Sequence, residues 1–356
     1  MYHSLKEAAF MANNALPFSF AVAGEALTEP AIAELRSQLS PLNSAAVMDV
    51  LDGPSPAFTD YFAHYGFVEL SAAKPHAQYR IGTLALSNGL QLVAHSWSQV
   101  DARATVCLFH GLFDHTGLYL TLVEHLLSEG LNVIALDMPG HGLSEGARAA
   151  IQSFTDYAAV VESAVNHAKH VAPALPVMAL GQSTGAAAVM NYQLAFGERG
   201  ALAKAVYLAP LIRPHKWALI RGAIALLGPM LATFPRGFSV NSHNQDFCDF
   251  LKLHDPLQSR SLSIPWLKAM AGWVGVIALR FEKGEAAPEL ADTPLLIVQG
   301  TGDKTVDWQK NIEYLQELAP SAQIVLVDQA KHHLVNELDS FRTPMFESVA
   351  HFFRSI

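Results

Sequence analysis

Val177-Met178-Ala179-Leu180-Gly181-Gln182-Ser183-Thr184-Gly185 joins an apolar run to the small residues Ala186-Ala187-Ala188-Val189-Met190. The apolar run suits a short strand buried on both faces. The small residues after Gly185 suit a helix that passes close to that strand. Gly-x-Ser-x-Gly at such a junction holds a serine on a tight turn with its hydroxyl exposed, and the glycines leave room for neighbouring backbone. A pentapeptide alone also fits a helix N-cap serine; the strand before it and the helix after it favour a nucleophile.

On both sides of this turn, apolar runs alternate with segments of helical length. The runs cover residues 105–110, 132–137, 176–182, 205–208, 295–299 and 323–327, and the helical segments 118–128, 154–170 and 184–196. Such alternation implies right-handed crossovers and a mostly parallel central sheet flanked by helices, an α/β fold. Ahead of it, residues 81–86 and 90–97 flank Ser87-Asn88-Gly89, a hairpin signal. The alternation breaks between about Leu211 and Leu290, an apolar, proline-rich stretch without a convincing strand, which reads as a helical insertion. Residues 1–79 lack strand rhythm; a helix is expected at 29–39 with Thr28 as its N-cap, and a turn cluster at 51–56. The expected organisation is an N-terminal extension packed on the core (1–79), a first core part (80–210), a helical cap or lid (211–290) and a second core part (291–356).

The chain has 356 residues, 51% hydrophobic and 15% charged, with a formal net charge of -9. That apolar fraction excludes disorder. The acidic balance argues against nucleic acid, which calls for a basic footprint. Cys107 and Cys248 make no disulfide framework, and the 16 histidines show no Cys-pair or His-Glu-x-x-His spacing, so neither a metal nor another cofactor is expected. No segment reads as a membrane-spanning helix. Residues 8–23 are mostly apolar and Ala21-Val22-Ala23 mimics a cleavage site, but Asn13, Asn14 and Pro17 interrupt them after a weakly basic start. A cytoplasmic chain, peripheral on the membrane if its cap docks there, is therefore expected ahead of a secreted one. Oligomeric state is left open.

A serine hydroxyl needs a base, and the base an orienting acid. The run at 295–299 leads into Gly300-Thr301-Gly302-Asp303, and the run at 323–327 leads into Asp328-Gln329-Ala330-Lys331-His332-His333. Sites in open α/β sheets lie beyond the carboxyl ends of the strands, where these loops converge with Ser183. Asp303 is the candidate acid with Asp307 as its competitor, and His332 the candidate base with His333 as its competitor. Acyl transfer also needs donors for the developing oxyanion. The amide after the nucleophile, Thr184, and the Leu112 amide in the loop after residues 105–110 are the candidates. His110, Gly111, Phe113 and Gln182, which flank these groups, are candidate substrate-lining residues.

His110-Gly111-Leu112-Phe113-Asp114-His115-Thr116-Gly117 resembles the oxyanion loop of monoglyceride lipases and bacterial lysophospholipases, a branch of the α/β-hydrolases. Asp137-Met138-Pro139-Gly140-His141-Gly142-Leu143-Ser144-Glu145-Gly146 is similar to the Asp-x-x-Gly-His-Gly-x-Ser-x-Gly loop of that group. Gly181–Gly185 matches its nucleophile turn, Gly300–Asp303 its acid loop, and Ala330-Lys331-His332 with Asn336-Glu337 its histidine loop. The resemblance covers about residues 80–356. It implies the triad Ser183, Asp303 and His332, preferring His332 over His333, and ester hydrolysis of a monoacyl lipid. Departures are Ala186 where a second glycine is common, Phe113 where the oxyanion loop usually has glycine, and Lys331 before the base.

The expectation is a serine carboxylester hydrolase that acts on a monoacylglycerol or lysophospholipid through an acyl-enzyme. Alternatives are the same triad on a peptide, amide, lactone or carbon–carbon bond, or a non-catalytic relative that binds an apolar ligand or a partner protein. A complete triad in the right order argues against the last. The window 199–245 holds no Asp or Glu but carries Arg213, Lys216, Arg221 and Arg236 among its basic residues. With the apolar stretch from Trp217 to Leu231, it suits peripheral contact with an anionic membrane through Arg213, Lys216, Trp217 and Arg221. Packing of that stretch on the core is the competing reading.

Overall fold

The computed structural model describes residues 27–42, 55–197 and 202–355; the cleavage-site mimic at 21–23 and residues 51–54 of the expected turn cluster lie outside them. The chain runs through α1 (Glu29–Gln38), α2 (Pro56–Tyr65), α3 (Phe67–Ala73), β1 (Gln78–Ala85), β2 (Gln91–Ser98), β3 (Ala104–Phe109), α4 (Leu120–Ser128), β4 (Leu131–Leu136), α5 (Asp156–Val171), β5 (Val177–Gln182), α6 (Thr184–Phe196) and β6 (Lys204–Leu208). After β6 come α7 (Trp217–Leu227), β7 (Thr233–Pro235), α8 (Gln245–Asp249), a π-helical turn (Phe250–His254), β8 (Ser261–Ser263), α9 (Ile264–Glu282) and α10 (Pro288–Ala291). The core then resumes with β9 (Leu295–Gly300), α11 (Trp308–Leu318), β10 (Gln323–Val327) and α12 (Asp339–Arg354).

The eight-stranded sheet has the order β1-β2-β4-β3-β5-β6-β9-β10. β2 runs antiparallel to β1 and β4, and the other ladders are parallel. Strands β3 to β6 and β9 are buried throughout, so their side chains alternate between two apolar layers rather than between core and water. Cys107, Phe109, Ala179, Tyr207 and Ile297 face the layer that holds α5, α6, α9 and α11. Val106, Leu108, Met178, Leu180, Val206 and Val298 face the layer that holds α4 and α12.

α1, α2 and α3 belong to the second layer. Phe58, Tyr61, Phe62 and Phe67 pack with Tyr79 and Trp97 from the hairpin. The helix at 29–38 starts as expected, with the Thr28 hydroxyl accepting from the Ala31 amide. α2 buries Ala57, Phe58, Tyr61, Phe62 and Tyr65, whereas the shorter α3 buries only Phe67 and Leu70.

The stretch between β6 and β9 is a largely helical insertion, with one correction: it contains a short antiparallel pair, β7 with β8. Strands of three residues leave no periodic signal. α9 has 19 residues and is apolar enough, by length and composition, to cross a membrane. Its inner face is part of the core: Trp266 Nε1 donates to the Tyr157 hydroxyl at 3.0 Å and Trp273 Nε1 to the Leu211 carbonyl at 3.0 Å.

Candidate active site

Ser183 sits between β5 and α6 with φ 55° and ψ -112°. A non-glycine residue held there stores about 1–3 kcal/mol of strain. The turn is fixed by its own backbone: the Ser183 amide donates to the Leu208 carbonyl at 2.8 Å, and the Ser183 carbonyl accepts from Ala187 and Leu211. A Cβ on Gly181 would lie 2.3 Å from the Gly185 carbonyl carbon, and one on Gly185 2.1 Å from the Phe109 carbonyl oxygen. Both glycines are therefore demanded by contact, since α6 crosses directly over the ends of β5 and β3.

The loops after β9 and β10 bring the other expected partners to Ser183. His332 Nε2 lies 2.9 Å from Ser183 Oγ, and His332 Nδ1 lies 2.7 Å from Asp303 Oδ2. Asp303 Oδ1 accepts from the Thr305 and Val306 amides at 2.7 and 3.1 Å. Burial alone would raise the Asp303 carboxyl; His332 and these two amides outweigh it and hold it below the usual carboxylate range. Burial alone would lower His332; the charge and hydrogen bond of Asp303, with a smaller effect of Asp114, raise it above the ordinary imidazole value. The competitors point elsewhere. Asp307 forms an ion pair with Arg213 at 2.8 Å, and His333 Nε2 lies 3.1 Å from Asp114 Oδ2.

The Leu112 and Thr184 amides have no acceptor among the described residues, whereas the neighbouring Gly111 and Asp114 amides donate to the Tyr119 hydroxyl and the Gly111 carbonyl. Gly111 lies against the nucleophile: a Cβ on it would fall 3.5 Å from Ser183 Cβ. Phe113 turns the loop back with φ 73°. The buried His110 spends both ring nitrogens on backbone, at the Gly111 carbonyl and the Met138 amide, so neither is left for a substrate. The Gln182 side chain accepts from the Val335 amide at 3.4 Å. Asp137 ties two loops together: its carboxylate accepts from the Thr116 and Leu143 amides, both at 2.8 Å.

Of the residues that build the site, Asp255 and Gln258 carried no sequence signal, whereas Glu337 was read as part of the histidine loop. Asp255, in the insertion, accepts from the Tyr65 hydroxyl at 2.7 Å and from Gln258 Nε2 at 3.0 Å, and lies 3.1 Å from His115 Nε2. Gln258 Nε2 also donates to the Phe113 carbonyl at 3.0 Å. Glu337 accepts from the Lys331 and His243 amides, both at 2.8 Å, which joins the histidine loop to the insertion. Apart from Gln258 to Asp255 and Lys331 to Glu337, these bonds join segments so far apart in the chain that periodicity says nothing of them.

Of the residues expected at a membrane, Arg213 is committed to Asp307 and Trp217 is half-buried against the core; Lys216 and Arg221 are exposed. Among the described residues no three His, Cys, Asp or Glu side chains are grouped to hold a metal ion.

A parallel sheet interrupted after β6 by an insertion, with a strained serine between strand and helix, defines an α/β-hydrolase. A soluble variant of the Saccharomyces cerevisiae monoglyceride lipase, solved with a substrate analog, shares that fold with a TM-score of 0.65 and 19% identity, over 74% of this chain and 91% of that one. A family model described as serine aminopeptidase S33 matches residues 100–339, and the chain belongs to that family, in which it is of the monoglyceride lipase type. It is 30% identical to the human monoglyceride lipase over 277 residues, 75% of this chain and 88% of that protein. It is 26% identical to a Bacillus subtilis phospholipase over 232 residues, 63% of this chain and 85% of that protein. By class it is a carboxylic ester hydrolase.

Proposed function

We propose that this hydrolase cleaves the ester of a monoacyl lipid, a monoacylglycerol or lysophospholipid, with Ser183 as nucleophile. The observation that carries the reading is the unbroken chain from Ser183 Oγ to His332 to Asp303, at 2.9 and 2.7 Å, beside two amides without acceptors. Ser183 Oγ attacks the acyl carbon while His332 Nε2 takes its proton. The oxyanion that forms is held by the Leu112 and Thr184 amides. His332 then protonates the departing alcohol oxygen, leaving an acyl-serine. Water attacks that ester, His332 takes the water's proton and returns it to Ser183, and the fatty acid leaves. Asp303 fixes the imidazole tautomer and stabilises the imidazolium. A lipid substrate is supported by the names of the lipase and phospholipase relatives and by the apolar insertion.

The same insertion supports peripheral docking on a membrane. Leu219, Leu226 and Met230 of the α7 region are 71%, 73% and 78% exposed, next to the exposed Lys216 and Arg221.

Purified enzyme is to be assayed on p-nitrophenyl esters, monoacylglycerols, lysophospholipids and aminoacyl p-nitroanilides. Ester hydrolysis is expected to fall about a thousandfold or more in Ser183→Ala. A Ser183→Ala rate equal to wild type sinks the nucleophile assignment, and faster anilide than ester cleavage moves the substrate class to amides.

A further inference from the structure

The buried acids around the nucleophile are all engaged: Asp303 with His332, Asp114 with His333 and Tyr119, Asp255 with His115 and Tyr65. Two arginines of the insertion have no acid partner among the described residues, although Arg260 Nη1 donates to the Lys252 carbonyl at 2.7 Å. Arg236 lies in the insertion with its guanidinium carbon 3.8 Å from the ring centre of Phe113 and 4.5 Å from that of Phe238. Arg260 covers Phe238 as well, at 5.0 Å, and its carbonyl accepts from the Arg236 amide at 3.0 Å. Among the described residues no carboxylate oxygen lies within 4.0 Å of either guanidinium. Arg236 Nη1 donates to Gln258 Oε1 and the Ser259 carbonyl; its Nε and Nη2 have no acceptor among the described residues.

A guanidinium taken largely out of water without a counter-charge costs free energy. Burial brings Arg236 down to about 10, with only the more distant Asp114 and Asp255 acting against it. Stacking on Phe113 and Phe238 offsets part of that cost and leaves the edge of the fork free. Phe113 directly follows Leu112, whose amide is the proposed oxyanion donor, so the cation rests on the loop that would hold the reacting ester. A planar fork with unused donors and no carboxylate in contact matches a phosphate better than a hydroxyl.

We propose that Arg236, assisted by Arg260, binds a phosphate on the alcohol part of the substrate, so that the enzyme favours an anionic lysophospholipid over an uncharged monoacylglycerol. This rests on the monoacyl-lipid reading of Ser183. The test compares kcat/KM for lysophosphatidate and for the monoacylglycerol of the same acyl chain, in micelles of one neutral detergent. In wild type the ratio favours lysophosphatidate. Arg236→Gln is expected to lower that ratio about tenfold or more, as for loss of a charge-assisted bond, and Arg236→Lys to restore part of it. Glycerol 3-phosphate competes with lysophosphatidate in wild type and more weakly in Arg236→Gln. Arg260 is exposed, so Arg260→Gln reads the same ratio if the Arg236 variants do not fold. Equal losses on both lipids overturn the proposal and leave Arg236 a structural clamp on Phe113. Inhibition by inorganic phosphate without any preference between the lipids overturns it in favour of a free-phosphate site. Wild type inactive on both lipids fails the underlying function, whereas activity on both with an unmoved ratio fails this inference alone.

Discussion

The two halves of the insertion meet the core in opposite ways. α7 contains no fully buried residue; Trp217, Ile220 and Ile224 touch the core while Leu219 and Leu226 face outward. Residues 241–258 are stitched into the catalytic loops: the Asn241 carbonyl accepts from the His333 amide at 2.9 Å, Ser242 Oγ donates to the Asn336 carbonyl at 2.8 Å, and Asp255 and Gln258 hold the oxyanion loop. Both halves are apolar insertion sequence, yet one lies on the surface of the enzyme and the other is part of its frame. Such an insertion is not one mechanical unit, and substitutions in it divide accordingly.

The sharpest way to break this comparison is Asp255→Ala. It strands the donors of Tyr65, His115 and Gln258, and is expected to cost about 3–5 kcal/mol in urea unfolding; a loss below about 1 kcal/mol would put the inner half in the same category as α7. The effect has a pH window. Burial pulls His115 down, but Asp255 outweighs it and holds His115 above its usual value; burial pushes Asp255 up, but His115, Tyr65 and Gln258 hold it below. The raised His115 contributes stability fully below about 6.5 and loses it as pH rises through its folded value. The depressed Asp255 contributes fully above about 3.9 and loses it as pH falls through its folded value. The difference between wild type and variant should therefore be greatest between these limits and shrink on either side.

A finer probe is Tyr65→Phe, which removes one 2.7 Å bond at about 1–2 kcal/mol. Because His115 adjoins the oxyanion loop, kcat is expected to fall more than KM rises; unchanged kcat would confine Tyr65 to packing. The smallest effect on stability belongs to the outer half. Leu219→Ser with Leu226→Ser should alter unfolding by no more than about 0.5 kcal/mol while reducing co-flotation with anionic liposomes. Flotation equal to wild type would remove the reason for an exposed apolar helix face at a membrane.

The core was legible because buried parallel strands are continuous apolar runs: Val177–Gln182 and Leu295–Gly300 fall within a residue of where the pattern places them. Ser183, Asp303 and His332 were legible because each stands in a loop directly after such a run. What the sequence hid is what holds these loops. Tyr65, Asp255 and Gln258 act through contacts between segments far apart in the chain, and a local pattern does not encode its distant partner. Arg236 was visible as charge, and nothing in the sequence encodes its stacking on Phe113. Arg213, counted among the membrane contacts, pairs with Asp307 at 2.8 Å, a partner the sequence did not reveal.

The strand order has a consequence for how the enzyme is made. β6 and β9 are neighbours in the sheet, yet the whole insertion must be threaded out between them. Ser183 precedes that excursion and both Asp303 and His332 follow it. Closing so long a loop carries an entropic cost, and the base reaches the nucleophile turn only across it. Because Asp303 follows β9 and His332 follows β10, the hydrogen-bonded chain from Ser183 to Asp303 closes only once both strands have joined the sheet.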